Sequence, residues 1–481
     1  MACLALIAPA LPAIAAPQAR ELLAIDSLLS QWPNWTTAGK ENGERYGYSV
    51  SSAGDVNGDG FDDVIIGAPG YLVGGVRTGA ALVFLGRPNG LATTAHQVLS
   101  NGINGSYFGF AVSSAGDVNG DGYDDVIVGA PHIHVTNGYD GAAYLYLGSA
   151  DGLSASPAWQ KIGLQGDSEF GFAVSGAGDV NHDGFNDVII GAPAYTQEQN
   201  HEGIVYLFLG NADGLGDTPA WSYQSDHAGA QLGYSVSEAG DLNRDGYADI
   251  AAGAPHFDAS PTELNNGLAL VFFGAEGGLQ AAPAWQALGS RAEAWFGYAL
   301  DSAGDVDGNG CTDLIIGAPG YNLGLANSGA AFLFYNGLSG LAPYAGWMIV
   351  GSQEGARFGT AVAGVGDADL DGFADVGVGA PYHAFDQPQE GAVFVYRGGP
   401  AGAALDSSWH ASGDKAETEF GLSAASAGDV NGDGQADLAV GAPIYKRDER
   451  VVMGQAYVFH GGDANPSYES RVFLPLIIRA P

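Results

Sequence analysis

The chain has 481 residues, of which 46% are hydrophobic and 77 are glycine, and 16 Lys+Arg against 54 Asp+Glu give a formal charge of −38. Such acidity excludes nucleic acid as a partner, because phosphate binding needs basic patches, and repels anionic membranes and glycans unless cations bridge them. Glycine at about twice ordinary usage, without a Gly-X-Y period, excludes collagen and points to many short strands joined by tight turns.

In chain order, residues 1–16 are apolar and small, with no charge before Arg20. They read as the hydrophobic region and small-residue end of a secretory signal peptide, although a basic leading segment is missing. Residues 1–17 are therefore assigned to a signal peptide, 18–30 to a linker, 31–464 to one repeating domain and 465–481 to a C-terminal tail. The expected location is secreted or at the cell surface. Beyond the leader no stretch approaches the ~18 apolar residues of a transmembrane helix. The two cysteines, Cys3 and Cys311, make no disulfide framework.

An Asp-rich nonapeptide recurs seven times, starting at Asp55, Asp117, Asp179, Asp241, Asp305, Asp367 and Asp429, at spacings of 62, 62, 62, 64, 62 and 62 residues. In the second copy, the strand Phe108-Gly109-Phe110-Ala111-Val112-Ser113 precedes the nonapeptide. A short apolar strand, Val126-Ile127-Val128, follows and stops at Gly129-Ala130-Pro131. A third strand runs from Gly141 to Gly148 and a fourth lies around Trp159. No amphipathic helix is evident. Four antiparallel strands repeated seven times predict an all-β fold, a seven-bladed β-propeller of four-stranded blades with a calcium-binding β-hairpin loop in each. The fourth-strand tryptophans are Trp35, Trp159, Trp221, Trp285, Trp347 and Trp409, and the segment near His96 fills the remaining slot. The Trp35 strand is surplus at the start and missing at the end, so it is expected to complete blade seven. The tail around Arg471–Ile478 is the rival for that edge.

Calcium takes six to eight hard oxygens around a turn that wraps a sphere. The nonapeptide offers short oxygen side chains at positions one, three and five, glycine for the bend at six, a backbone carbonyl at seven and a carboxylate at nine. The expected ligands are Asp55, Asn57, Asp59, Phe61 and Asp63 in loop one, and Asp117, Asn119, Asp121, Tyr123 and Asp125 in loop two. Loop three supplies Asp179, Asn181, Asp183, Phe185 and Asp187, and loop four Asp241, Asn243, Asp245, Tyr247 and Asp249. Loop five supplies Asp305, Asp307, Asn309, Cys311 and Asp313, loop six Asp367, Asp369, Asp371, Phe373 and Asp375, and loop seven Asp429, Asn431, Asp433, Gln435 and Asp437. Asx turns favour the same residues, but do not explain seven copies in phase. Up to seven Ca2+ ions are expected, with Asp at position nine as the bidentate closer. Loop six is strongest by charge, and loop four is weakened by Arg244. Magnesium fits less well, since it tolerates an all-protein cage poorly.

The aromatic-Gly pair, the Asp-rich loop and the Gly-Ala-Pro triplets at 67–69, 129–131, 191–193, 253–255, 317–319, 379–381 and 441–443 together resemble the FG-GAP repeat of the integrin α-subunit propeller. The aromatic slots are Tyr46, Phe108, Phe170, Leu232, Phe296, Phe358 and Phe420. The resemblance covers about nine tenths of the chain. It implies calcium loops on the lower face, ligand contacts on the upper face and an extracellular role in adhesion or recognition. Unlike most integrin α-subunits, this chain carries the loop in all seven repeats and lacks their leg domains, so pairing with a β-subunit is not carried over. It resembles secreted bacterial members.

The segment after Gly-Ala-Pro emerges on the upper face and gathers Tyr71, His132, Tyr195, His256, Tyr321, Tyr382 and Tyr445, with His134 and His383 nearby. Such aromatics suit a protein or glycan ligand, although Tyr and His are also ordinary loop residues. The aromatics of the aromatic-Gly pairs are read as packing at the channel mouth. No G-x-S-x-G, H-E-x-x-H or P-loop is present, and an active site is usually unique where these acids recur, so the chain is read as not an enzyme. A polysaccharide hydrolase or lyase with its site at the propeller mouth, and a structural scaffold in a surface assembly, are the alternatives. A monomer is expected.

Overall fold

Four short apolar runs bounded by glycine turns fold each repeat into one antiparallel sheet. In blade two the strands are Ala111–Gly116, Asp125–Ala130, Ala142–Tyr146 and Trp159–Ile162, paired in chain order. The same order holds in blades one to six. The structure, a computed structural model, describes residues 28–135, 138–261, 264–448 and 451–462. The expected signal peptide, residues 18–27 of the expected linker, and the tail lie outside the described residues.

Seven four-stranded sheets form the propeller, and blade seven closes the ring. Its strands Ser423–Gly428, Asp437–Ala442 and Gln455–Phe459 are completed by Trp35–Ala38, which pairs antiparallel with Gln455–Phe459 in the register Trp35 to Val458. Leu28 and Leu29 are buried beside this closure, and Leu29 bridges Gly461. The N-terminal strand therefore occupies the edge for which the tail was the rival.

Every second strand is buried along its whole length, as in Asp63–Ala68 and Asp125–Ala130. A neighbouring blade covers each of its faces, so alternation is lost. The cores accordingly lie between blades. Ile65 and Val83 of blade one pack with Val126, Val128 and Tyr144 of blade two, and six further clusters repeat the arrangement round the ring. The aromatic of each aromatic-Gly pair is buried in these cores instead of standing at the channel mouth. Phe170, for example, bridges Gly141 of the preceding blade.

The fourth-strand tryptophans act across blades as well. The Trp35 indole N–H donates to the Ala92 carbonyl at 2.9 Å, Trp159 to Gly216 at 3.2 Å, Trp347 to Ala404 at 2.8 Å and Trp409 to Ser30 at 3.1 Å. In blade one, which lacks the tryptophan, Gln97 donates to the Leu153 carbonyl at 2.8 Å.

The glycine of Gly-Ala-Pro marks a close approach of backbone between two blades. A Cβ on Gly129 would lie 2.0 Å from the Gly171 carbonyl oxygen of the next blade. Backbone cannot yield as a side chain can, so Gly129→Ala should cost about 3 kcal/mol by overpacking. Denaturant unfolding of the variant checks this, and a loss under about 1 kcal/mol would show that the blades can part there.

Candidate metal centres and the upper face

The loop lies in the hairpin between the first and second strands. A bulge sets its direction, since pairing shifts between Ser52 and Gly54 in blade one and at the equivalent place in the other six blades. Gly54 sits there at φ 71°, a conformation that needs glycine.

The loop folds its oxygens inward on its own backbone. Asp55 Oδ1 accepts the Asp59 N–H at 3.0 Å and Oδ2 accepts the Gly60 N–H at 2.8 Å. Asn57 Oδ1 accepts the Asp59 N–H at 3.0 Å, and Asp59 Oδ1 accepts the Phe61 N–H at 3.1 Å. Loops two, three, four and seven, which share Asn at position three, repeat these bonds. At position nine, Asp63 is fully buried, with Val56 N–H on Oδ2 at 3.1 Å and Gly86 N–H on Oδ1 at 2.8 Å. Its equivalents Asp125, Asp187, Asp249, Asp313, Asp375 and Asp437 are buried in the same way. Burial pushes Asp63 up to about 7 and Asp437 to about 8.

This donor set fits a hard cation. Most of these carboxylate oxygens keep a second lone pair beyond one N–H bond, whereas Asp117 Oδ1 and Asp429 Oδ1 each accept two N–H groups. The position-seven carbonyls, those of Phe61, Tyr123, Phe185, Tyr247, Cys311, Phe373 and Gln435, accept no hydrogen bond from the described residues. Asp305, Asp307 and Asp313 bring one oxygen each within 4.8 Å of one another, as do Asp367, Asp369 and Asp375. These are the two loops with Asp instead of Asn at position three.

Two details depart from the sequence reading. In loop six Asp369 is ion-paired with Arg397 at 2.7 Å, so part of its charge is already matched. In loop four Arg244 turns away from its own carboxylates, and its guanidinium donates to the Gly310 carbonyl of loop five. Adjacent loops are also tied to one another. Asp62 N–H donates to the Asp429 carbonyl at 3.2 Å, and Asp62 Oδ2 accepts the Asp429 N–H at 2.7 Å. Asp124 makes the same pair of bonds with Asp55, so the ties cross the ring closure as well as ordinary blade boundaries.

At the opposite end the seven upper-face residues fall into two sets. Tyr71, Tyr195, Tyr321 and Tyr445 cap the inter-blade cores, and Ile133 and Phe257 fill the same place in blades two and four. Tyr321 is only 5% exposed. His132, His256 and Tyr382 come one residue earlier in their repeats and are half-buried, against the residues that precede the aromatic-Gly pairs. His132 stacks on Tyr107 with ring centroids 4.2 Å apart, and His256 meets Trp295 edge-on at 6.1 Å. The Tyr382 hydroxyl donates to Glu419 at 3.2 Å, and the Arg357 guanidinium lies 5.3 Å from the Tyr382 ring and 5.4 Å from the Trp295 ring.

The channel mouth itself is lined by residues that the sequence reading passed over. Tyr48, Phe110, Phe172, Tyr234 and Tyr298 form a continuous arc over blades one to five, with successive centroids 4.8, 4.9, 4.8 and 4.8 Å apart. Thr360 and Leu422 take the place in blades six and seven. Four of these rings line a pocket of about 230 Å³. Burial pushes the Tyr48 phenol up to about 12 and raises Tyr234 as well. The signal was present as an aromatic two residues after five of the seven slots, as in Phe108-Gly109-Phe110.

The FG-GAP repeat family model matches residues 46–84, 108–146, 170–208, 232–272, 296–334 and 420–459. Blade six falls outside these spans yet has the same four strands. The chain is 32% identical over 248 residues to integrin alpha-5 of Xenopus laevis, covering 50% of this chain and 22% of that protein. It is 32% identical over 216 residues to integrin alpha-V of Gallus gallus, covering 43% and 20%. It is 39% identical over 163 residues to integrin alpha-PS3 of Drosophila melanogaster, covering 32% and 14%. The chain thus spans about a fifth of the length of these relatives.

Proposed function

Because the chain belongs to the FG-GAP repeat family, with a propeller of the integrin α type, we propose that it is a secreted or cell-surface, calcium-stabilised module that recognises a protein or glycan through its upper face. The observation that carries this reading is the division of labour between the two ends. The lower end holds seven loops of one oxygen pattern, which suits a repeated structural ion. The upper end holds a continuous aromatic arc and side chains that differ from blade to blade, which suits recognition of one partner. A non-catalytic role fits the same picture. Among the described residues the pocket at the mouth is lined by aromatic rings, serines and small or aliphatic side chains, with no carboxylate or imidazole among them. The chain acts as a monomer in this reading, and calcium lowers its formal charge from −38 to about −24 when all seven loops are filled.

The test is a binding screen of the calcium-loaded protein against an array of glycans and extracellular-matrix proteins. Binding to a specific spot should fall at least ~10-fold in Tyr298→Ala, because one ring of a stacking platform is worth on the order of 1.4 kcal/mol. The melting temperature should change little, since Tyr298 is only partly buried at the mouth and lies outside the inter-blade cores. Specific binding that survives Tyr298→Ala and Arg357→Ala together would place recognition elsewhere, and turnover of a spotted polysaccharide would favour the hydrolase or lyase reading.

A further inference from the structure

In all seven blades the residue before the aromatic slot is left-handed, with φ between 53° at Arg357 and 56° at Trp295. Glycine and asparagine take this conformation most easily, yet none of the seven is either. The positions hold Tyr107, Gln231, Trp295 and four charged residues, one per blade and three residues before each position of the arc. A turn alone would be served better by glycine. Strained side chains of this kind gather at ligand clamps.

The ring is uneven. The aromatic arc is open over blades six and seven, where Thr360 and Leu422 replace the rings. Arg357 of blade six and Arg45 of blade one flank that opening. The Arg357 guanidinium lies against the Trp295 and Tyr382 rings, at 5.4 and 5.3 Å. Trp295 in turn meets Tyr298, the last ring of the arc, with centroids 6.5 Å apart. Among the described residues neither arginine side chain makes a hydrogen bond or an ion pair. Arg77, Arg87 and Arg244, by contrast, donate to backbone carbonyls, and Arg397 pairs with Asp369.

Glu419 of blade seven is the one acid of the ring between the two arginines. Burial raises its carboxyl, while the Tyr382 hydroxyl and the charges of Arg45 and Arg357 oppose the rise. The other acid of the ring, Glu169, stands across the mouth on blade three. Two cations to one anion leave the sector positive on a chain of formal charge −38, a local attractor for negative charge.

A guanidinium held by rings keeps its planar N–H fork for a carboxylate. The arc beside it suits the C–H face of a sugar. A uronate joins both features in one rigid ring, whereas an acidic peptide carries its carboxylate on a stem with no face to stack. The chain as a whole repels a polyanion, so the acid is a single one on an otherwise neutral glycan. We propose that the mouth takes a glycan through one uronic acid residue, its ring on the arc at Tyr298 and its carboxylate on Arg357, with Arg45 as the second positive charge. The proposal rests on the upper-face recognition reading and names the ligand class for it.

The calcium-loaded protein is titrated with oligosaccharides ending in glucuronate, galacturonate, mannuronate or iduronate, each beside its twin with the carboxyl reduced to the alcohol. At least one acid should bind about 10-fold more tightly than its twin. Arg357→Gln should erase that preference and Arg45→Gln should reduce it, with melting temperatures near wild type because neither guanidinium bonds to protein. The preference should also shrink as salt rises. Acid and twin bound equally, with both lost in Tyr298→Ala, overturns the uronate and leaves the recognition reading standing. Preference for an Asp-rich peptide over every sugar does the same. Binding untouched by Tyr298→Ala and by both arginine variants places recognition off the mouth and overturns both. No binding to any of the four acids overturns the uronate alone.

Discussion

Stripping calcium from the folded protein should lower its melting temperature by about 20 °C. The expectation rests on 22 acidic side chains at the ligand positions of seven loops. A ligand present at 100 times its dissociation constant stabilises each site by about 2.7 kcal/mol, so seven sites supply roughly 19 kcal/mol. An unfolding entropy of about 2.1 cal/mol/K per residue converts this to about 20 °C for a propeller of this size. The ties between loops, such as Asp62 with Asp429 and Asp124 with Asp55, give the loss a cooperative character. Melts with calcium and after chelation, with metal counted per chain, test it. A shift of under about 3 °C with several ions bound would show that the ions do not hold the fold. No bound metal at all would reduce the loops to acidic Asx turns.

A chain that begins at Lys40 should yield no stably folded propeller. Such a chain lacks Trp35–Ala38, leaves the edge of Gln455–Phe459 unpaired, and removes Leu28, Leu29 and Trp35 from two inter-blade cores. Trp35 also packs edge-on against Phe84 of blade one, with centroids 4.7 Å apart. Loss of a buried tryptophan costs about 3–5 kcal/mol and of each leucine about 2–5 kcal/mol. The sum, about 10 kcal/mol, rivals the whole stability of many domains. A chain beginning at Ser27 retains the closing strand and should fold, so soluble yield and the melting transition of the two chains are compared directly. Cooperative melting of the shorter chain within a few degrees of the longer one would refute closure by this strand.

Much of this protein was legible residue by residue. The Gly-bounded apolar runs set the strands. Seven phased nonapeptides set the number of blades, and the alternation of short oxygen side chains with a glycine set the donor pattern of the loops. The surplus Trp35 strand even indicated how the ring closes. These features are local or periodic, so each repeat states them again within about 62 residues. Other features were illegible because they depend on the neighbouring blade. Arg244 was read as a threat to its own loop, but its partner is a carbonyl of loop five. Asp369 was read as extra charge for calcium, but Arg397 reaches it from the third strand's end. The upper-face tyrosines were read as one ring, but blade packing turns four of them into core caps and leaves the mouth to Tyr48, Phe110, Phe172, Tyr234 and Tyr298.

The sequence by itself determined the repeat, its strands and the oxygen chemistry of its loops, because hydrogen-bonded hairpins and tight turns are specified by residues close together in the chain. Only the tertiary structure decided which side chains meet in the channel and across the closure, where Trp409 reaches Ser30 over a separation of 379 residues. Those meetings follow from the stacking of one blade on the next, and no local pattern encodes which face of a strand its neighbour will cover.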